Sequence, residues 1–135
     1  MSVGERLAPV FGRGIIAAIF LLAALNKMQN WEATATFIAA HGLPYRYVLL
    51  ALALLVELVC GFGVLIGFRT RSAALILFAY TLIVTYLIHD FWFAEASARA
   101  LQAELFTKNM GLAGGLLILI GQGAGAWSID SWRGE

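Results

Sequence analysis

Four stretches of the chain are long and almost entirely apolar, and most polar residues fall between them. The stretches are residues 10–25, 45–67, 72–88 and 108–121. Segments of roughly 20 apolar residues match the hydrocarbon thickness of a bilayer, and none of these four shows the alternation of a strand. Because a backbone in lipid must satisfy its own hydrogen bonds, the pattern predicts an all-α membrane protein, a four-transmembrane-helix bundle.

The connections between the apolar stretches differ in kind. Residues 67–71 form a tight turn, so we expect the second and third spans to be antiparallel neighbours. Residues 30–40 predict a short interfacial helix between spans one and two, with Asn30 as its cap. Residues 90–107 combine aromatic residues with helix formers, and we place them in the headgroup zone. The fourth apolar stretch is short and rich in glycine, which favours a buried, tightly packed helix.

Composition agrees with a membrane protein and limits its partners. Of the 135 residues, 61% are hydrophobic and 13% are charged, about half the charged fraction of a soluble domain. The net charge of +1 gives no basic surface for nucleic acid. One cysteine cannot form an internal disulfide or a cysteine-based metal site, and we expect no cleavable signal. We therefore expect a single transmembrane domain over residues 1–135, with the lipid bilayer as its first partner.

Glu57 is the most unusual residue in the apolar stretches, since it lies near the middle of the second one. A carboxylate at that depth costs roughly 2.5 kcal/mol or more, so it normally faces the bundle interior. Ala53, Glu57 and Gly61 form a row at helical spacing, and rows with small residues pack against neighbouring helices. We therefore expect Glu57 to point into the bundle, where it serves either a structural ion pair or a functional cavity.

Alternating helix direction brings distant polar residues to one membrane face, with Glu57 deeper beneath them. The candidate site residues at that face are Asn26, Lys27, His89, Lys108 and Asn109. We predict that these residues line one cavity and that Glu57 pairs with Lys27, Lys108 or Asn109. The alternative is that the lysines only extend to headgroups and that the other side chains only cap or join helices.

The opposite membrane face collects arginines. Five of them lie there, against four basic residues at the polar face, and this weak positive-inside bias favours cytoplasmic termini. These five are Arg6, Arg13, Arg69, Arg71 and Arg133. Asp130 lies on the same side, so we expect it to pair with Arg71 or Arg13 in carboxylate–guanidinium geometry.

Short motifs in a fixed order run along nearly the whole chain. They are Arg13-Gly14, Asn26-Lys27, Gly42-Leu43-Pro44, Glu57-Leu58 with Gly61, Gly67-Phe68-Arg69-Thr70-Arg71, His89-Asp90-Phe91, Lys108-Asn109 with Gly114-Gly115, and Ser128-Ile129-Asp130. With these motifs the chain resembles the DoxX family of small four-helix membrane proteins. The resemblance implies a bacterial or archaeal inner-membrane protein. It also implies relatives that include a subunit of a thiosulfate:quinone oxidoreductase.

Three functions are open at this point. The favoured one is a membrane subunit of a quinone-linked oxidoreductase, in which the candidate residues bind quinone non-covalently and a protein partner supplies electrons. The second is a transporter or channel for a small solute or a proton. The third is a structural assembly subunit or homo-oligomer without its own chemistry. The sequence shows no flavin, haem or iron–sulfur motif and no nucleophile–base pair. We therefore assign no catalytic residue and no metal ligand, and an independent enzyme is the least favoured reading.

Overall fold

The computed structural model describes residues 1–135, which contain six α-helices, one short 3-10 helix (Phe91–Phe93) and no strand. Four of them are long and apolar enough to cross a membrane, namely α1 (Val3–Gln29), α3 (Arg46–Ile66), α4 (Thr70–Ile88) and α5 (Ala96–Gln122). The ten-residue α2 (Trp31–Ala40) lies between the first two spans, and α6 (Ile129–Trp132) is a single turn near the C-terminus. The predicted four-span bundle with a short helix between spans one and two is confirmed.

Two of the spans are longer than their apolar stretches. α1 begins at Val3 because Ser2 and Glu5 form a capping box, in which the Glu5 N–H donates to Ser2 Oγ at 3.1 Å. α5 begins at Ala96, so residues 96–107 are its first turns and not a separate interfacial segment. Residues 96–110 contain neither glycine nor proline, and nothing therefore interrupts the helix before the apolar stretch.

The hydrophobic core occupies one half of the bundle, the half near the turn between α3 and α4. α1 packs on α3, α3 on α4 and α4 on α5, with few contacts between α5 and α1. Gly61 allows α1 and α3 to approach closely, since a Cβ there would lie 3.0 Å from Leu21 Cδ2. The core residues are Ala17, Phe20, Cys60, Val64, Ala73, Ala74, Leu77, Leu116 and Leu119. The opposite half, which α2 covers, is packed less completely.

α5 is the least buried span, which corrects the expectation of a buried, tightly packed helix. Only 17% of its most apolar 18-residue segment is buried, against 22% to 28% for the corresponding segments of the other three spans. Gly111 and Gly114 have no neighbouring atom within 4 Å of where a Cβ would lie. These glycines therefore do not bring α5 against another helix of the same chain.

Asp130 attaches the C-terminal segment to the turn between α3 and α4. Its carboxylate accepts hydrogen bonds from the backbone N–H groups of Arg69, at 2.6 Å, and Thr70, at 2.8 Å. Its own N–H donates to the carbonyl oxygen of Gly67 at 2.8 Å. The N–H groups at a helix start lack partners within the helix and attract negative charge. Asp130 therefore caps α4 through its side chain, from outside the helix.

The predicted ion pair of Asp130 with Arg71 or Arg13 is wrong. No guanidinium nitrogen of an arginine lies within 4.0 Å of the Asp130 carboxylate. Arg71 instead donates two hydrogen bonds, of 2.9 and 2.8 Å, to carbonyl groups at the end of α5. The buried Arg13 donates to two carbonyl groups in the last turn of α3 and, at 2.6 Å, to that of Trp127. Helix C-termini offer unpaired carbonyl groups, and both arginines satisfy them.

Acidification should destabilise the wild-type protein more than the Asp130→Asn variant. Burial alone raises the pKa of Asp130, but hydrogen bonds from Thr70 and Arg69 and the charge of Arg133 outweigh it and lower the pKa below its ordinary value. A depressed folded-state pKa stabilises the protein above the unfolded-state pKa, and the stabilisation is lost as the pH falls through the folded-state value. Unfolding in detergent, followed from neutral pH to about pH 3, measures the difference. Parallel pH profiles of the two proteins would contradict this role of Asp130.

Candidate functional site

An apolar cavity of about 560 Å³ lies in the half of the bundle opposite the hydrophobic core. The end of α1, together with α2, α3 and α4, forms its walls, and 13 of the 16 lining residues are hydrophobic. Phe37 and Ile38 of α2 lie on one wall, and Ile83 and Leu87 belong to the wall that α4 forms. Pockets of roughly 300–1,000 Å³ with mostly apolar walls hold small organic ligands in many proteins.

Two polar side chains in the cavity wall meet at one buried carboxylate. Lys27 Nζ and the Tyr80 hydroxyl each donate a hydrogen bond of 2.7 Å to Oε1 of Glu57. A carboxylate oxygen has the lone pairs to accept from both an ammonium and a hydroxyl group. The side chain of Glu57 is 3% exposed and that of Lys27 is 21% exposed. A ligand in the cavity would therefore contact Lys27 and Tyr80, with Glu57 behind them.

The antiparallel arrangement of α3 and α4 explains why Tyr80 reaches Glu57. Glu57 lies 11 residues before Phe68, and Tyr80 lies 11 residues after Arg69, so both are equally far from the turn. Tyr80 was not among the predicted site residues, which carry charged, amide or imidazole side chains. The equal spacing from the turn was the available signal, since antiparallel helices joined by a short turn place such positions at the same depth.

Glu57 points into the bundle as predicted, and of its three predicted partners Lys27 is the one it pairs with. The residue is 2% exposed, and its ion pair with Lys27 spans α1 and α3. Lys27 lies in the last turn of α1, and its long side chain places the ammonium group beside Glu57. The second oxygen of Glu57, Oε2, is buried without a hydrogen-bond partner. The carboxylate thus keeps acceptor capacity that the protein does not use.

Asn26 and Lys108 occupy more exposed positions than predicted. Asn26 lines the cavity, but its side chain is exposed and its Oδ1 accepts from Asn30 Nδ2 at 2.9 Å. Asn30 stands at the N-cap position of α2, yet its side chain makes no capping bond to that helix. Lys108 lies on the surface of α5 with 69% of its side chain exposed, and it pairs with Glu104 at 3.0 Å. The prediction that Lys108 lines the cavity is wrong.

His89 and Asn109 lie between α4 and α5 and not in the cavity. His89 Nδ1 is 3.0 Å from Gln102 Oε1, and Asn109 Nδ2 donates to Thr85 Oγ1 at 3.0 Å. Neither residue lines the cavity, so the single polar cluster predicted from the topology is wrong for these two as well. Their hydrogen bonds join two neighbouring spans, the structural role that sequence analysis left open.

A hydrogen bond on the surface joins α2 to α3. The Tyr47 hydroxyl donates to Glu32 Oε2 at 2.8 Å, and both residues stand at the start of their helices. Ala33 and Thr34 follow Glu32 directly and line the cavity. This bond therefore helps to position the helix that forms one wall of the site.

Comparison with known proteins gives matches to two protein families and to two curated relatives. The DoxX family model matches residues 8–90, and the SURF4 family model matches residues 52–135. Inner membrane protein YqjF of Escherichia coli (strain K12) is 31% identical over 126 residues, which is 93% of this chain and 92% of that protein. Inner membrane protein YphA of the same organism is 28% identical over 121 residues, 90% of this chain and 86% of that protein. No solved structure matches the chain.

The matched region contains the whole candidate site. Every residue that lines the cavity falls between residues 26 and 88, inside the DoxX match, and so does Glu57. The match also spans more than half of the chain, and the relative with 31% identity covers nearly all of it. With its four apolar helices and these similarities, the chain belongs to the DoxX family of membrane proteins.

Proposed function

We propose that this protein is the membrane subunit of a quinone-linked oxidoreductase system and binds a quinone non-covalently in the cavity beside α2. One observation carries the proposal: a mostly apolar cavity wall holds Lys27 and Tyr80 at the point where they meet Glu57. A membrane quinone also combines a long apolar part with a small polar part, because its isoprenoid tail is apolar and its ring carbonyl oxygens accept hydrogen bonds. The tail would extend between helices into the lipid.

The residues at the carboxylate suit a quinone headgroup chemically. Lys27 uses one N–H for Glu57 and keeps others for a ring carbonyl oxygen. A bound quinone supplies two-electron redox chemistry that takes up two protons on reduction. Glu57 accepts a hydrogen bond from the Tyr80 hydroxyl, and this pair is placed to hold and transfer a proton near the ring. The electrons would come from a protein partner.

We place the protein in the inner membrane of a bacterium or archaeon, with both termini in the cytoplasm. The two curated relatives are described as inner membrane proteins. An even number of spans puts both termini on one side, and the larger share of the arginines lies on that side. A fluorescent protein that folds only in the cytoplasm, fused after Glu135, tests the orientation. A fusion protein that is expressed at a normal level but does not fluoresce would show that the orientation is the opposite one.

The wild-type protein in lipid nanodiscs should bind decylubiquinone saturably, and Lys27→Met should weaken binding by about tenfold or more. A hydrogen bond from a charged donor contributes about 1.5–3 kcal/mol, and 1.4 kcal/mol corresponds to a factor of ten. Quenching of tryptophan fluorescence measures the affinity. Tyr80→Phe offers a second variant at the same wall. Lys108→Met is the matched control, since this lysine lies near the same membrane face but is paired on the surface.

Two results would overturn the quinone proposal. One is the absence of saturable binding to the wild-type protein, and the other is an equal loss of affinity in Lys27→Met and Lys108→Met. A solute-dependent proton flux in liposomes would then favour the transporter hypothesis. A stable protein that neither binds quinone nor conducts protons, but purifies with a fixed partner, would favour the assembly subunit.

A further inference from the structure

We infer that the ion pair of Lys27 and Glu57 makes the cavity selective for amphiphiles with an electrically neutral headgroup and excludes anionic ones. The inference rests on the proposed function and specifies the electrical character of its ligand. It separates neutral lipid-soluble molecules that carry a carbonyl group, quinones among them, from fatty acids and acidic phospholipids. All of these molecules are present in a membrane and have tails that fit an apolar cavity.

The wall of the cavity carries a single charged side chain, and a buried carboxylate compensates it. Lys27 is the only charged residue among the 16 that line the cavity. Its ammonium nitrogen lies 2.7 Å from Glu57 Oε1, and the carboxylate stands behind it with 3% of its side chain exposed. The net charge at the polar end of the cavity is therefore zero. Tyr80, the other hydrogen-bonding group that contacts Glu57, is neutral and adds no charge.

A neutral headgroup enters this cavity at a lower free-energy cost than an anionic one. An anion must give up its hydration in an apolar cavity, and this cost is large unless a positive charge compensates it. Here Glu57 already compensates Lys27, so an anion beside the ammonium group would also be repelled by the carboxylate just behind it. A neutral carbonyl group loses far less hydration and still accepts a hydrogen bond from a free N–H of Lys27. The paired lysine thus provides a donor without a net positive charge.

Substitution of either member of the ion pair should change the headgroup preference of the cavity. Glu57→Gln removes the negative charge and leaves the cation facing the cavity, so the preference should move toward anionic ligands. Lys27→Met removes the cation and leaves the carboxylate uncompensated, so the preference should move toward cationic ligands. The two substitutions therefore predict shifts of opposite sign, which a merely structural ion pair does not predict.

Methyl decanoate, decanoate and decylammonium share one tail length and differ in headgroup charge, so they are suitable probes. Their affinities are measured by competition with a fluorescent fatty-acid ester on protein in nanodiscs of zwitterionic lipid. The wild-type protein should prefer the ester to decanoate by about tenfold or more, and Glu57→Gln should shift that ratio toward decanoate by about tenfold or more. Lys27→Met should raise the affinity for decylammonium relative to the ester. Lys108→Met should change neither ratio.

Equal affinity of the wild-type protein for decanoate and its methyl ester would overturn the inference, and this measurement needs no variant to fold. An unchanged ratio in a folded Glu57→Gln protein would also overturn it. Failure of the proposed function gives a different result. If the wild-type protein prefers the ester and Glu57→Gln shifts the preference toward decanoate, but decylubiquinone does not bind, the neutral selectivity stands and the quinone assignment fails.

Discussion

Replacement of Lys27 with methionine is expected to lower the free energy of unfolding by about 3–5 kcal/mol, because it leaves a buried carboxylate without its compensating charge. Glu57 is 2% exposed and cannot turn to water. The hydrogen bond from Tyr80, at 2.7 Å, remains, but a neutral donor does not balance a full negative charge in an apolar environment. Of the two members of the ion pair, the lysine is therefore the one whose loss costs more.

Glu57→Gln is expected to destabilise the protein less than Lys27→Met does. The Lys27 side chain is 21% exposed and faces the cavity, so its unpaired charge can be solvated there. The double variant Lys27→Met/Glu57→Gln should recover most of the loss. A buried ion pair replaced by neutral side chains of similar volume is often close to neutral in stability, and the glutamine amide can still accept from Tyr80.

Unfolding of the four proteins by sodium dodecyl sulfate in mixed micelles gives the cycle of free energies. Lys108→Met serves as the control, and a change within about 0.5 kcal/mol is expected for this exposed pair. Additive losses in the double variant would mean that the two side chains do not interact, which would contradict the pairing. A Lys27→Met protein as stable as the wild type would show that Glu57 finds another partner or becomes protonated.

Gly67→Ala should cost about 2–5 kcal/mol, from backbone strain and overpacking together. Gly67 has φ of +71° at the end of α3, a conformation that a residue with a Cβ adopts only at a cost. A Cβ at this position would lie 2.4 Å from Ser128 Cβ and 2.5 Å from Arg13 Nη1. The C-terminal segment would have to move, and the bond from the Asp130 N–H to the Gly67 carbonyl group would lengthen or break.

Gly111→Ala provides the matched control for this substitution. Gly111 lies within α5, is exposed, and has nothing within 4 Å of the new Cβ. Alanine there should stabilise the helix by about 0.5–1 kcal/mol. Thermal unfolding in detergent measures both variants, and susceptibility to carboxypeptidase reports release of the C-terminal segment in Gly67→Ala. If the two substitutions change stability alike, the close packing of the C-terminal segment against the turn is wrong.

The sequence alone determined the number of spans, their alternating directions and the inward orientation of Glu57. Each of these follows from a property of a short stretch of sequence. The apolar length sets the span, and the short turn predicted at residues 67–71 makes the second and third spans antiparallel. The cost of a carboxylate in lipid turns Glu57 inward. Lys27 was correctly proposed as a partner because the direction of the helices already placed it at the right face of the membrane.

Only the tertiary structure decided which side of the bundle each polar residue occupies. Helix direction sets the depth of a side chain, but its angular position depends on how the helix is rotated against its neighbours. For this reason His89 and Asn109 bond between α4 and α5, and Lys108 points outward. Tyr80 takes the place beside Glu57 that was predicted for Lys108 or Asn109. Asp130 likewise accepts from backbone N–H groups and not from a guanidinium group, because the unpaired start of α4 lies next to it only after the chain has folded back.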